Sequence, residues 1–181
     1  MYEFDIVGEC WFCHRSPPCE VGCFYKWRLF TDYVNTVLCT PLIYNKKDDD
    51  RIYSVQIDHI VVGPTGIYLI ETKNWSKNSL ESKGLFSPVK QLRRHNYAIF
   101  VLLNKAVGEG ELAGFSGHWG ERKISPKNII LLTGHKPKEE YQYVKILSVS
   151  EIVRYISYKG REPMFSEEEL KSLVDYLIYL T

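Results

Sequence analysis

Asp58, Glu71 and Lys73 are the residues of this sequence whose types and spacing point most directly to chemistry. Asp58 stands five residues before Gly63 and Glu71 five residues after Gly66, with Pro64-Thr65 between the glycines. A hairpin in which the two glycines face each other makes the carboxylates direct cross-strand neighbours. Side chains alternate along a strand, so Glu71 and Lys73 share a face. Two acids and one amine then converge at the open end of a β-ribbon. Carboxylates held that close repel, and a divalent cation removes the conflict. Mg²⁺ binds through one or two carboxylates plus phosphate oxygens and keeps several waters, which makes Asp58, Glu71 and the backbone carbonyl of Thr72 candidate ligands. Such an ion acidifies a bound water and neutralises charge developing on phosphorus. Lys73 is placed to steady that water or the oxyanion, as a point charge on a flexible stem. Spacing alone leaves two other arrangements open. An ordinary sheet-end charge cluster would pair Lys73 with Glu71 for about 0.2–1 kcal/mol. A one-residue bulge in the turn would send Asp58 to the opposite face.

The elements that must position these residues are legible around them. The runs Val55 to Val62 and Ile67 to Ile70 are apolar on both faces, which predicts strands covered from both sides. Upstream, Leu42-Ile43-Tyr44 and Ile52-Tyr53-Ser54-Val55 read as strands separated by the charged run Lys46 to Arg51. Asp48-Asp49-Asp50 in that run is a solvated turn, since a calcium loop spaces its ligands. Cys23, Trp27, Phe30 and Val34 recur at helical spacing and predict a helix from about Glu20. Ser87 as N-cap and Pro88 at the first position open a long amphipathic helix through Val89, Leu92, Asn96, Ile99 and Leu103 to about Lys105. Gly108 to Lys127 is glycine-rich without a period and reads as a long surface loop. Asn128 to Thr133 and Val144 to Leu147 read as strands, followed by a helix from about Ser150 to Tyr158. Ser166 with Glu169 forms a capping box ahead of a C-terminal helix carrying Leu170, Leu173, Val174 and Leu177. The alternation predicts an α/β fold.

At 181 residues, 45% hydrophobic, the chain is long enough for one well-buried core, so residues 1–181 are read as a single domain. Residues 1–18 form a cysteine-rich arm, 20–158 the core and 159–181 a C-terminal helical extension. Lys plus Arg number 23 against 22 for Asp plus Glu, so a polyanion would have to be held by a local patch. No apolar run approaches the roughly 20 residues of a membrane span and the first residues lack a secretory pattern, giving a cytoplasmic expectation without membrane contact. Cys10, Cys13, Cys19 and Cys23 are crowded near the N-terminus. Their spacing is read as reduced, partly buried thiols, with a structural Zn²⁺ as the alternative.

The stretch Ile57-Asp58-His59-Ile60-Val61-Val62-Gly63-Pro64-Thr65-Gly66-Ile67-Tyr68-Leu69-Ile70-Glu71-Thr72-Lys73-Asn74-Trp75 resembles the signature of the NERD, or nuclease-related, domain family. That family is similar to the PD-(D/E)xK nuclease superfamily, whose members hydrolyse nucleic-acid phosphodiesters with Mg²⁺ or Mn²⁺. The resemblance implies Asp58 as first metal ligand, Glu71 as second and Lys73 as catalytic lysine. Pro88-Val89-Lys90-Gln91 resembles the family's helix in which Gln91 holds the attacking water or a ligand. The family's upstream helix carries a glycine-glutamate step; here Glu20 follows Cys19, and Glu20 is the corresponding acid. The fold implied is a restriction-endonuclease-like core with a central mixed sheet, helices on both faces and the site at one sheet end.

Lys90, Arg93, Arg94 and His95 follow one another around Gln91, and a helix displaying such cations would hold a phosphate backbone, with Asn74 as a further contact. A solvated helix face explains each cation singly. Trp75 is read as packing under the hairpin rather than stacking on a base. His59, on the face opposite Asp58, is read as a hydrogen-bonded core histidine rather than a ligand. The leading expectation is a DNA nuclease, an endonuclease or nickase, with RNA left open and a homodimer compatible with double-strand cutting. The competing expectations are a non-catalytic nucleic-acid or protein-docking module and, more weakly, a thiol sensor at Cys10 to Cys23.

Overall fold

A computed structural model describes residues 36–39, 42–44, 54–76, 78, 86–115, 123–137, 140–157 and 162–181. The strands within them are β1 (Thr36–Cys39), β2 (Leu42–Tyr44), β3 (Ser54–Gln56), β4 (His59–Gly63), β5 (Gly66–Lys73), β6 (Lys127–Leu132) and β7 (Val144–Ser148). The helices are α1 (Phe86–Gly108), α2 (Val149–Ile156) and α3 (Glu167–Tyr179). A five-stranded sheet runs in the order β1-β4-β5-β6-β7, antiparallel from β1 to β5 and parallel from β5 to β7. The fold is α/β with a mixed sheet, as expected, and the strand bearing Glu71 and Lys73 is its middle one. The cysteine-rich arm, with Cys10, Cys13, Cys19 and Cys23, and the helix expected from Glu20 lie outside the described residues.

The hairpin register follows from its turn. Gly63 faces Gly66, Val62 faces Ile67, and the ladder continues to His59 opposite Ile70. Gly66 sits at φ +139°, which side chains beyond glycine avoid. Thr65 ties this closed end to α2 by donating to the Ile156 carbonyl at 3.0 Å, while the Lys127 ammonium donates to the Thr65 carbonyl at 2.7 Å.

The other end departs from the expected continuous strand between Val55 and Val62. β3 stops at Gln56, the chain bends at Asp58, and β4 starts at His59. The cause is a side chain replacing the backbone ladder: Thr72 N–H donates to Asp58 Oδ2 at 2.7 Å. Freed from β5, β3 pairs with β2 in a separate two-stranded sheet, Ser54 facing Tyr44. The bend also turns Ile57 into the same cluster as Ile60 and Val62, against strict alternation.

Both faces of the sheet are covered, which is why its central strands are apolar throughout. Ile60, Val62, Ile67, Leu69, Ile130 and Leu132 pack with Leu92, Ile99 and Leu103 of α1 and with Leu170, Leu173 and Leu177 of α3. On the opposite face Val61, Tyr68, Ile70, Ile129 and Leu147 meet Ile156 of α2. The capping box of α3 forms as expected, Ser166 Oγ accepting from Glu169 N–H and Glu169 from Ser166 N–H. α2 begins at Val149, one residue before the expected start at about Ser150, with Ser148 as N-cap and Glu151 accepting from Ser148 N–H.

The segment after α1 is a correction. It was expected to lie on the surface, yet Leu112, Phe115 and Ile124 are buried. Asn104 holds the returning chain from within α1, donating to the Ile124 carbonyl at 2.8 Å and accepting from Ile124 N–H at 2.9 Å. No helix among the described residues is long and apolar enough to cross a membrane.

Candidate active site

The first six residues of β5 are buried, and the sixth is a glutamate. Glu71 is 1% exposed, an unusual position for a carboxylate at the middle of a sheet. Alternation puts it on the α1 face with Leu69 and Lys73, and Lys73 Nζ donates to Glu71 Oε1 at 2.6 Å. Glu71 Oε2 is buried with no partner. The hairpin ladder ends at His59 opposite Ile70, and Asp58 stands in the bend one residue beyond it. Asp58 is fixed by Thr72 N–H, which leaves Oδ1 without a partner among the described residues. In a strand the N–H and C=O of one residue point to the same side, so the Thr72 carbonyl faces the space that the chain vacates at the bend.

α1 packs across β5 and β6, and His95 is half-buried on it. Burial pushes the His95 imidazole below its ordinary value; Glu71 and Asp58 pull it up, and Arg94 and Lys73 push it down. All four charges therefore act on this ring. On the other face His59 is half-buried, and burial lowers its imidazole against the pull of Asp58 and Glu71. His59 faces Ile70 in the hairpin ladder, and its Nδ1 has no hydrogen-bond partner. It is thus not the fully bonded core histidine that was anticipated.

Buried side-chain polar atoms are nearly always hydrogen-bonded, so the exceptions are informative. Among the described residues the unpartnered atoms are His59 Nδ1, Glu71 Oε2, Thr72 Oγ1 and His95 Nδ1. His59, Glu71 and Thr72 stand at this end of the β4–β5 hairpin, with His59 and Thr72 on the face opposite Glu71.

The donor set suits a hard divalent cation. Two carboxylates each retain one oxygen without a protein partner among the described residues. No three His, Cys, Asp or Glu side chains group as ligands among the described residues, so any cation would rest on these two acids with non-acid oxygens and water.

Lys90, Gln91, Arg93 and Arg94 are exposed on α1, and Asn74 is exposed just past β5. Trp75 packs against the main core, half-buried. The Lys73-Trp75 backbone is held by the chain after β6, Thr133 N–H donating to the Lys73 carbonyl and His135 N–H to the Trp75 carbonyl, each at 3.1 Å. Between them Gly134 approaches so closely that a Cβ would collide with the Trp75 carbonyl oxygen. Glu20 lies outside the described residues. His95 is the residue that sequence reasoning undervalued, treating it as one cation of an exposed run. The signal was its place four residues after Gln91 and three after the core residue Leu92, on the inward-turning side of the helix. A cavity of about 630 Å³ lies elsewhere, along the outer edge of β7 between Lys136, Tyr141, Ile146 and Tyr155. It contains none of these acids.

The sequence matches the nuclease-related domain family over residues 25–115, half of the chain. The chain belongs to that family. The NERD match includes Asp58, Glu71, Lys73 and all of α1, and it ends at Phe115 before β6. The geometry around Glu71 is therefore built within the NERD segment, with β6, β7 and α3 supporting it from outside. No curated protein and no solved structure matches the chain.

Proposed function

We propose that this NERD domain is a divalent-cation-dependent nuclease that hydrolyses phosphodiester bonds of DNA, acting as an endonuclease or nickase. The observation that supports this reading is a buried glutamate, Glu71, whose Oε1 is held by Lys73 and whose Oε2 has no partner, with Asp58 fixed by the N–H of the next residue, Thr72. A packed core has no use for such an acid, whereas a site that receives a cation, a water and a phosphate group does. Mg²⁺ or Mn²⁺ held by Asp58, Glu71 and the Thr72 carbonyl would supply Lewis acidity and an activated water.

The chain's own groups do the positioning. Thr72 N–H holds Asp58 in one orientation before substrate arrives, so no reorganisation is needed at that acid. Lys73 neutralises one oxygen of Glu71 and leaves the other available. Its ammonium, a quarter exposed, can turn from Glu71 to a phosphate oxygen where negative charge develops. Lys90, Arg93 and Arg94 face solvent on α1 and would hold the phosphate backbone without reading bases, with Gln91 among them directed to the water or the ligand.

Supercoiled plasmid incubated with the protein and Mn²⁺ tests the reading. Relaxed circles would report nicking and linear DNA double-strand cutting, both abolished by Lys73→Ala. Intact plasmid with Mg²⁺ and with Mn²⁺ would refute it. The closed Lys73–Glu71 pair favours a second reading, a docking module that binds DNA without scission. Binding of labelled duplex in the absence of any cleavage would select it.

A further inference from the structure

α1 carries no acid from Phe86 to Gly108, in a chain with 22 Asp and Glu against 23 Lys and Arg. Its last cation, Lys105, lies 4.0 Å from Glu109, whereas Lys90, Arg93 and Arg94 make no ion pair or hydrogen bond among the described residues. α3 shows the ordinary alternative, with Lys171 set among Glu167, Glu168 and Asp175. A helix turns about 100° per residue, so Lys90, Arg93, Arg94 and Tyr97 fall in one sector about 100° wide, on the side away from the buried Leu92, Ile99 and Leu103.

Tyr97 is 62% exposed, and its hydroxyl has no hydrogen-bond partner among the described residues. Arg93 stands one turn before it, and residues so spaced hold their Cβ atoms about 5–6 Å apart. The next residue inward is an anchor: Asn96 donates to the Pro126 carbonyl at 2.7 Å and to Asn128 Oδ1 at 3.0 Å. A rotation of α1 that buried Tyr97 would break both bonds. β5 and β6 are parallel, so α1, which joins them, runs back against both and starts at the sheet end where Glu71 and Lys73 stand. From Tyr97 to Lys90 the charged face covers about 10 Å in the direction of that end.

Cations alone suit any phosphate backbone, paired or not. The ring discriminates. Bases of a duplex are stacked on one another and offer only their edges in the grooves, so an aromatic face finds a partner where a base is unpaired. Resting on the nuclease reading above, we propose that the outer face of α1 selects DNA with unpaired bases, Tyr97 stacking on one base while Lys90, Arg93 and Arg94 hold the phosphates that lead toward the site. Tyr97 is then a specificity-determining residue, and single-stranded DNA is the preferred substrate.

The test measures binding in chelator, where no scission occurs, of parent, Tyr97→Ala and Tyr97→Phe to three probes of equal length: an oligothymidylate, its abasic counterpart and a duplex. The parent should bind the oligothymidylate most tightly. Stacking predicts that Tyr97→Ala loses about 10-fold or more on that probe and nothing on the abasic strand, while Tyr97→Phe binds like the parent. The slope of log affinity against log salt should stay unchanged in Tyr97→Ala and flatten by about 0.7 in Arg93→Gln. Equal losses in Tyr97→Ala and Tyr97→Phe would reveal a hydroxyl contact to phosphate and overturn the proposal. Parent-like binding by Tyr97→Ala, an equal loss on the abasic strand, or a duplex held as tightly as the single strand would overturn it too. If Tyr97→Ala melts below the parent, the parent decides alone, since equal affinity for the oligothymidylate and its abasic counterpart excludes stacking. Plasmid left intact with Mg²⁺ and Mn²⁺, beside a single-strand preference that depends on Tyr97, would refute the nuclease reading and leave the binding face standing.

Discussion

Replacing Glu71 by glutamine separates the cost of the buried acid from its use. The substitution keeps the shape and removes the charge. The Lys73–Glu71 pair is short at 2.6 Å, but the Lys73 side chain is 26% exposed, so its loss costs about 1 kcal/mol after solvent screening. The unpartnered Oε2 becomes an unpartnered amide, a change near zero. Against these stands the desolvation cost of a carboxyl group 1% exposed, several kcal/mol, of which an amide relieves about 3 kcal/mol. The metal-free variant should then be more stable than the parent by about 2 kcal/mol. In a chain of this length that is a rise in Tm of about 4–8 °C. Mn²⁺ reverses the order. A cation that binds the folded site alone, at a hundred times its Kd, stabilises the parent by about 2.7 kcal/mol, a further rise of roughly 5–10 °C, and Glu71→Gln should show almost none of it. Calorimetric melts in chelator and in Mn²⁺ measure both terms. A metal-free variant that melts below the parent, or that gains as much from Mn²⁺, would refute the assignment of Glu71 as a buried acid kept for a cation.

Two further outcomes follow from local geometry. Gly134→Ala forces a Cβ against the Trp75 carbonyl, so the 3.1 Å bond from His135 N–H must open; melting should show a loss of about 1–3 kcal/mol, and plasmid cleavage should fall with it. Hydrogen bonds from Lys136, and then from the backbone and side chain of Ser148, hold the Glu151 carboxyl at about 2 from an ordinary 4.5. Because the folded value is the lower one, this contribution is whole above pH 4.5 and disappears as pH falls through about 2. A carboxyl NMR titration should place Glu151 near 2 in the parent and nearer its ordinary value in Lys136→Met, and equal values would show that Lys136 does not act on it.

The hairpin was legible because two independent rules agree on it. Gly63 and Gly66 fix the turn, and the apolar runs on either side admit one register that buries both faces. The capping box at Ser166 was legible for a similar reason, since Ser166 and Glu169 satisfy each other within one turn. The bend at Asp58 was not. Nothing in the run from Val55 to Val62 signals a break, because the interruption comes from a side chain that competes for Thr72 N–H across the hairpin. The same blindness applies to Leu112, Phe115 and Ile124. Their burial depends on Asn104 catching the returning chain, a contact between residues 20 apart that no local period encodes. For the site, the type and spacing of Asp58, Glu71 and Lys73 carried the assembly. His95 escaped because four adjacent polar residues on a helix look like one solvated patch, although a helix turns about 100° per residue and cannot expose all four.

The placement of the site explains how one chain tolerates its internal cost. β5 is paired on both sides, to β4 and to β6, and packed above and below by α1 and α2, so its backbone is firmly held. An ionised or half-satisfied side chain on a mobile loop would move until water relieved it. On β5, Glu71 has no such freedom, and its unpartnered Oε2 stays fixed on the α1 face of the sheet. The bend at Asp58 then has a purpose beyond local geometry. By ending the β4–β5 ladder one residue short of Glu71, it withdraws a backbone partner from the Thr72 side and substitutes a carboxylate whose second oxygen is left unpaired. A continuous strand from Val55 would satisfy Thr72 with backbone. The break gives up part of a ladder, and in return a carboxylate is held against the central strand of the sheet.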